Sequence, residues 1–261
     1  MAKIIAIANQ KGGVGKTTTS INLAAGLAYC NKRILLVDFD PQGNATQGIG
    51  AKNYGFTKTV NDVLLGRDSV SECVVNLPIY DPRLDVLCAN INLAGADLEM
   101  AKYRDGREKL LKNKLDEVRN DYDYIIIDCP PSLGLLNTNA LTAADSVIIP
   151  VQSEYYALEG LTQLLSTIRL VQRLFNPHLA IEGVLLTMFD ARTNLSVEVQ
   201  QEVRKYFKEK VYRSYIPRNV KLSEAPSTGQ SIYTYDMESS GAKAYMSLVR
   251  EVIANNSKGV R

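Results

Sequence analysis

The sequence predicts a doubly wound α/β domain on a mostly parallel sheet, and three observations carry that expectation. Short apolar runs recur along the chain, rich in Ile, Val and Leu and without alternation, as strands covered on both faces read. Helical stretches separate these runs, which gives the strand–helix order of a parallel sheet. The 261 residues, 46% of them hydrophobic, suffice for a full core and show no linker, repeat or low-complexity segment. A single domain over residues 1–254 is expected, with 255–261 as a frayed polar tail.

The elements follow in order. The run Lys3–Ala8 is the first strand, and the Thr-Thr-Thr-Ser-Ile-Asn-Leu-Ala-Ala stretch opens a helix over Thr17–Tyr29. Arg33–Asp38 is the second strand, followed by a helix at Thr59–Leu65 and a strand at Leu84–Ala89. A helix at Arg107–Arg119 leads to the fully apolar run Tyr124–Asp128. Leu135–Ala143 is helical, Ser146–Val151 extended, Leu158–Phe175 helical and Glu182–Met188 extended. Helices at Ser196–Lys208 and Gly241–Ala254 flank a last extended piece, Val211–Ile216.

Between the first strand and its helix lies Gln10-Lys11-Gly12-Gly13-Val14-Gly15-Lys16-Thr17-Thr18. A glycine-rich loop here lets backbone N–H groups converge on an anion, because no Cβ blocks the approach and φ > 0 costs little. The following helix aims its positive dipole end at the same anion. Lys16 then reaches the β- and γ-phosphates of a nucleotide, and the Thr17 hydroxyl can ligate Mg²⁺. This is a P-loop NTPase pattern with one departure. The usual first glycine is replaced by Gln10, and a second lysine, Lys11, stands at the mouth of the loop. That spelling is the deviant Walker A box, and the chain here resembles the ParA/MinD superfamily of ATPases. The resemblance implies ATP as ligand, and a Lys11 that reaches across a dimer interface to the partner subunit's nucleotide.

Two carboxylate motifs share the rim, since ligands of parallel sheets bind beyond the carboxyl ends of the strands. In Asp38-Phe39-Asp40-Pro41-Gln42, Asp40 can orient or deprotonate an attacking water. Asp38 lies nearer the strand and supports either Mg²⁺ or the loop geometry. The apolar run Tyr124–Asp128 ends in Asp128, a Walker B pattern, and Mg²⁺ needs one or two such carboxylates while keeping several waters. Asp128 is therefore expected to hold Mg²⁺ through a water.

Net charge is only +2, which excludes a uniformly basic coat protein but not a local patch. Residues 1–160 carry 16 Lys/Arg against 19 Asp/Glu, whereas residues 161–261 carry 14 against 9. The four cysteines, Cys30, Cys73, Cys88 and Cys129, show neither C-x-x-C spacing nor a nearby His, so reduced thiols are expected. The single histidine, His178, sits in a loop and is assigned no chemistry. No apolar run reaches the length of a transmembrane helix, and no signal peptide is read.

Further stretches resemble the ParA/Soj chromosome- or plasmid-partition branch, from Lys3 to about Ala254 and most weakly in Lys52–Tyr80. They include Val151–Gly160, Thr187–Asn194 and Ile216–Ser227. The D-x-D-P-Q spelling resembles that branch's second signature, which makes Asp40 the hydrolytic aspartate. The Pro217-Arg218-Asn219 segment lines the adenine pocket in that branch, which carries over to Pro217 and Asn219. The resemblance further implies an ATP-bound homodimer, non-specific double-stranded DNA, a ParB-type centromere-binding partner, and a cytoplasmic, nucleoid-associated location.

Eight Lys/Arg fall within Arg192–Lys221, interrupted by Glu198, Glu202 and Glu209. Such a run is an ordinary solvated helix face or a phosphate-contacting surface. Arg192, Arg218 and Lys221 match basic positions of the family and are the expected DNA contacts. The alternative is a membrane-associated positioning ATPase of the MinD branch, which ends in a basic amphipathic helix. Here the chain ends in Asn-Asn-Ser-Lys-Gly-Val-Arg without a large apolar face, so no membrane contact is expected. The iron-protein branch needs a pair of cluster cysteines, and Cys30 and Cys129 offer no suitable loop pair.

Overall fold

The computed structural model describes residues 1–80, 83–132, 134–154 and 157–257. Among them, β1 Lys3–Ile7, β2 Ile34–Asp38, β3 Val74–Asn76, β4 Leu84–Leu87, β5 Tyr124–Asp128, β6 Ser146–Gln152 and β7 Ala180–Thr187 form one sheet. Their spatial order is β3-β4-β2-β5-β1-β6-β7, and every pairing is parallel except β3 with β4. Each of the six expected strands holds one of the parallel strands, and each expected helix window holds a helix.

The lack of alternation in the apolar runs has its cause in the layering. Successive side chains of a strand point to opposite faces, and here both faces are covered. Ile5, Ile7, Leu36, Ile126 and Ile148 pack with residues of the helices Lys16–Tyr29 and Ser240–Ser257. Ile4, Ala6, Val37, Ile127 and Ile149 pack in the other layer, with the helices Leu110–Val118, Leu135–Ala143, Ala157–Leu174 and Asn194–Phe207. Each of these isoleucines is fully buried, a contribution of roughly 1.5–3 kcal/mol apiece.

Three details differ from the sequence reading. The strand β3 runs antiparallel on the edge and is only three residues long and half-exposed, too short and too polar to signal itself. Val211–Ile216 forms no regular strand. It is tied to β7 by an isolated parallel bridge, Val184 with Val211, and a second bridge, Phe189 with Pro217, follows just beyond both segments, while between them the Arg213 and Ser214 N–H groups turn to Glu251. The last helix continues past Ala254 to Ser257, held by the Asn256 amide donating to Glu182 at 2.8 Å. Residues 258–261 of the expected tail lie outside the described residues.

The topology places a crevice. From β1 the chain crosses to β2 on one side of β5, and from β5 it crosses to β6 on the far side of β1. The connections diverge between β1 and β5, and ligands of such sheets bind outside the carboxyl ends of the strands at that point.

Candidate active site

The loop after β1 fills this crevice. Gly13 and Gly15 hold φ of +74° and +86°, a region costly for any residue with a Cβ. At Gly12 and Gly13 an added Cβ would meet nothing within 4 Å, so the loop faces open space there. Its back is anchored: the Thr187 hydroxyl at the end of β7 donates to the Val14 carbonyl at 2.8 Å, and the Asn9 amide donates to Pro150 at 2.6 Å.

Lys16 is the first residue of its helix and is buried, with its Nζ donating to the Lys11 carbonyl across the loop at 3.1 Å. Burial pulls its ammonium below the ordinary lysine range, opposed by the nearby Asp128, Cys129 and Asp40. One turn of helix then presents two hydroxyls on one face. Thr17 Oγ1 donates to Asp128 Oδ2 and Ser20 Oγ to Asp128 Oδ1, both at 2.8 Å. The i, i+3 spacing of Thr17 and Ser20 carried this signal in the sequence, but Ser20 was not singled out.

Asp128 and Asp38 are partners in register across β5 and β2, both fully buried. Burial pushes both carboxyls above the ordinary aspartate range, and repulsion adds to it, from Asp38 at Asp128 and from Asp40 at Asp38. Asp38 accepts from the Thr46 backbone N–H and hydroxyl, both at 2.7 Å, and from the Asp40 N–H at 3.2 Å. Its oxygens thereby hold the loop that carries Asp40. Thr46 carried no sequence signal, since it lies eight residues on in a short helix, Asn44–Gly48.

Asp40 stays free of the protein on one side. Its Oδ1 accepts from Gln42 N–H at 2.9 Å, and its side chain lines a cleft of about 480 Å³ together with Gly12, Gly13, Gly15, Lys16 and Thr17. The cleft's far wall is Met188, Pro226 and Ser227. Pro217 and Asn219 do not line it. Pro217 is taken up by its bridge to Phe189, while Asn219 caps the helix Val220–Glu224 and donates to Ser240 at 2.7 Å. Lys11 points out of the cleft mouth, half-exposed, with its Nζ 3.0 Å from Glu154 Oε2. Glu154 too gave no signal beforehand.

The donor set suits a hard cation. A Thr17 hydroxyl and an Asp128 carboxylate converge beside a loop of N–H donors, and Mg²⁺ takes few protein oxygens while keeping its waters. No group of three or more His, Cys, Asp or Glu placed to hold a metal exists among the described residues.

The expected DNA contacts gather at the same end of the sheet. Arg192 forks onto Asp190, with bonds of 2.9 and 2.8 Å, and the field of Arg218 also reaches that carboxylate. Lys221 pairs with Glu224 at 3.0 Å and lies over the Tyr235 ring. No helix among the described residues is long and apolar enough to cross a membrane.

Comparison with known proteins adds relatives. A family model described as an AAA domain matches residues 2–181. The sporulation initiation inhibitor protein Soj of Bacillus subtilis is 59% identical over 255 residues, covering 98% of this chain and all of that protein. The chromosome partitioning protein ParA of Myxococcus xanthus is 52% identical over 257 residues, covering 98% of this chain and 90% of its own length. Among solved structures, a cobyrinic acid a,c-diamide synthase from Mycobacterium smegmatis with bound ATP analog and magnesium superposes with a TM-score of 0.86. It is 39% identical and covers 99% of this chain and 97% of that one.

Proposed function

The chain belongs to the Soj/ParA family of chromosome-partitioning ATPases, and on that premise we propose that it is a Mg²⁺-dependent ATPase whose nucleotide state governs binding to DNA. The observation that carries the reading is the cleft itself. Gly12–Thr18, Asp40 and the Thr17–Asp128 pair converge on one rim, with the buried Lys16 among them.

The N–H groups of Gly12–Thr18 and the Lys16 ammonium hold the phosphates. Thr17 and, through a water, Asp128 would hold Mg²⁺, which supplies charge neutralisation at the phosphates when bound. Asp40 orients the attacking water and accepts its proton. Asp38 positions Asp40 through the loop. Lys11 exchanges Glu154 for the phosphate of a second protomer, so that two chains close over two nucleotides. Closure joins the basic rims bearing Arg192, Arg218 and Lys221, and two weak surfaces on one body gain by effective concentration. The family resemblance assigns Pro217 and Asn219 to the adenine, although neither lines the cleft. A ParB-type centromere-binding protein is the expected stimulator of hydrolysis, which reopens the dimer. Residues 1–254 act as one ATPase unit, cytoplasmic and nucleoid-associated.

Co-sedimentation with DNA tests the reading, run with ADP, with ATP, and with ATP plus anionic liposomes as competitor. DNA capture with ATP alone, undisturbed by liposomes, is expected. Capture by liposomes instead of DNA would replace the reading with a membrane-positioning ATPase, and equal capture with ADP would break the nucleotide dependence.

A further inference from the structure

A larger hollow, of about 850 Å³, opens at the other end of β7 from the phosphate cleft. It is lined by Arg204, Lys208, Lys210 and Arg213, beside the carboxylates of Glu182, Glu209 and Glu251 and the ring of Tyr212. The register fixes its place. Val211 bridges to Val184 in the middle of β7, whereas Pro217 bridges to Phe189 beyond its carboxyl end. The basic run of the sequence is thus divided between two ends of one edge.

The charges at the two ends differ in their engagement. At the carboxyl rim, Arg192 and Lys221 are already held by Asp190 and Glu224. In the hollow, none of the four cations has a carboxylate within ion-pair distance among the described residues. Of the three carboxylates beside them, Glu209 is exposed and offsets one of the four charges, while the other two are spoken for. Glu251 accepts from the Arg213 and Ser214 N–H groups and the Ser214 hydroxyl, and Glu182 takes Lys3 and the Asn256 amide. The Tyr212 hydroxyl in the same wall is buried with no hydrogen-bond partner, its ring seated against Gly183, where an added Cβ would fall 2.5 Å from it. A helix dipole accounts for Arg204 and Lys208 at the end of Asn194–Phe207, but not for Lys210 and Arg213 beyond it.

We propose that this hollow is a second phosphate-binding surface, through which the chain holds the backbone of double-stranded DNA at a distance from the Arg192–Lys221 rim. The proposal rests on the DNA-binding reading above and extends its footprint. All four cations are exposed. Exposed charges hold a single small anion weakly in salt, whereas a polyanion gains counterion release at every contact. The two basic groups sit at the ends of the helix Asn194–Phe207, which is about 21 Å long, or about six base-pair steps of duplex. A second groove, lined by Arg213, Tyr215, Pro217 and Lys243, shares Arg213 with the hollow and joins the two ends. Between them Glu202 is neutralised by Lys205, which leaves Glu198 as the one exposed, unpaired acid of that helix among the described residues.

The test is fluorescence anisotropy of the ATP-loaded chain on two unrelated duplexes over a salt series. Lys208→Gln/Lys210→Gln/Arg213→Gln is compared with the parent, with Lys210→Gln alone, and with Arg192→Ala/Lys221→Ala. The hollow variant should lower the log–log salt slope by roughly 0.9 per lost contact, up to about 2.7, equally on both duplexes. Lys210→Gln alone should lower it by about 0.9. ATP affinity and melting temperature should stay at the parent's. Parent slope in the hollow variants, with a lower slope in Arg192→Ala/Lys221→Ala, overturns the hollow and leaves the rim reading standing. A parent that binds neither duplex overturns both. Loss of binding to phosphatidylserine vesicles with an unchanged DNA slope makes the hollow a lipid surface and overturns the proposal.

Discussion

Thr46→Val is the sharpest perturbation of the site, because it removes one oxygen and leaves the shape. The Thr46 side chain is fully buried. Its hydroxyl donates to Asp38 Oδ2 at 2.7 Å and accepts from the Ala89 N–H at 3.0 Å, so one atom joins the loop after β2 to the end of β4. Removing it takes a hydrogen bond from a buried carboxylate, about 1.5–3 kcal/mol, and orphans a buried N–H, about 1–3 kcal/mol. The expected loss is about 3–5 kcal/mol, with no cavity term. Thr46→Ser is the control. It keeps the hydroxyl and removes one methyl, which costs about 1 kcal/mol. Urea unfolding of the three proteins should show a lower midpoint for the valine variant at an unchanged m-value. The order Val below Ser below parent is the result that matters, since hydrophobicity alone predicts the reverse. A valine variant within about 1 kcal/mol of the parent would refute the bridge. The same change should lower turnover more than ATP affinity, because Asp38 also holds the Asp40 N–H.

Three further outcomes are expected. Asp40→Ala should keep ATP affinity by calorimetry but release no phosphate, leaving a dimer trapped on DNA. Lys11→Ala should change urea stability by less than about 1 kcal/mol, since its pair with Glu154 is half-exposed, while abolishing ATP-dependent dimers in sedimentation velocity. For pH, the folded-state values of Asp38 and Asp128 lie above the unfolded value of about 3.9, so their contribution is present at low pH and lost as pH rises through the folded values. Asp128→Asn should therefore flatten the decline in metal-free stability between about pH 4 and about pH 7, and a decline as steep as the parent's would contradict the buried-carboxylate account.

Much of this was legible in the sequence, and the rest was not for physical reasons. Strands buried on both faces carry their own mark, and a loop that needs glycine at φ > 0 and a lysine at the helix start has few spellings. Asp128 was found because it ends an apolar strand. The partners of these residues were hidden because they come from distant segments with ordinary local roles. Thr46 sits in a five-residue helix, Thr187 ends a strand and Glu154 follows one, and only the sheet order brings them to the loop. The basic run misled by being continuous. In the chain it reads as one patch, but the helix Asn194–Phe207 and the return beside β7 leave Arg192, Arg218 and Lys221 at one end and Arg204, Lys208, Lys210 and Arg213 at the other, and ion pairs hold Arg192 and Lys221.

The electrostatics of the cleft connect the fold to ligand binding. Three carboxylates, Asp38, Asp40 and Asp128, are buried around one ammonium, Lys16, and the hydroxyls of Thr17, Ser20 and Thr46 offset only part of the charge. Burial disfavours the charged forms of Asp38, Asp128 and Lys16, raising the two carboxyls and lowering the ammonium against the pull of the carboxylates beside it. A divalent cation beside Asp128 favours its ionised form, and phosphates over Lys16 favour the ammonium. Either ligand alone meets the charge that the other would neutralise, so the two stabilise each other's binding. Linkage then makes the folded state more stable in their joint presence than the separate gains add up to. A melting temperature raised by ATP with Mg²⁺ beyond the sum of the shifts from each alone is the expected signature. Simple additivity would mean that the buried carboxylates and the lysine do not share one site.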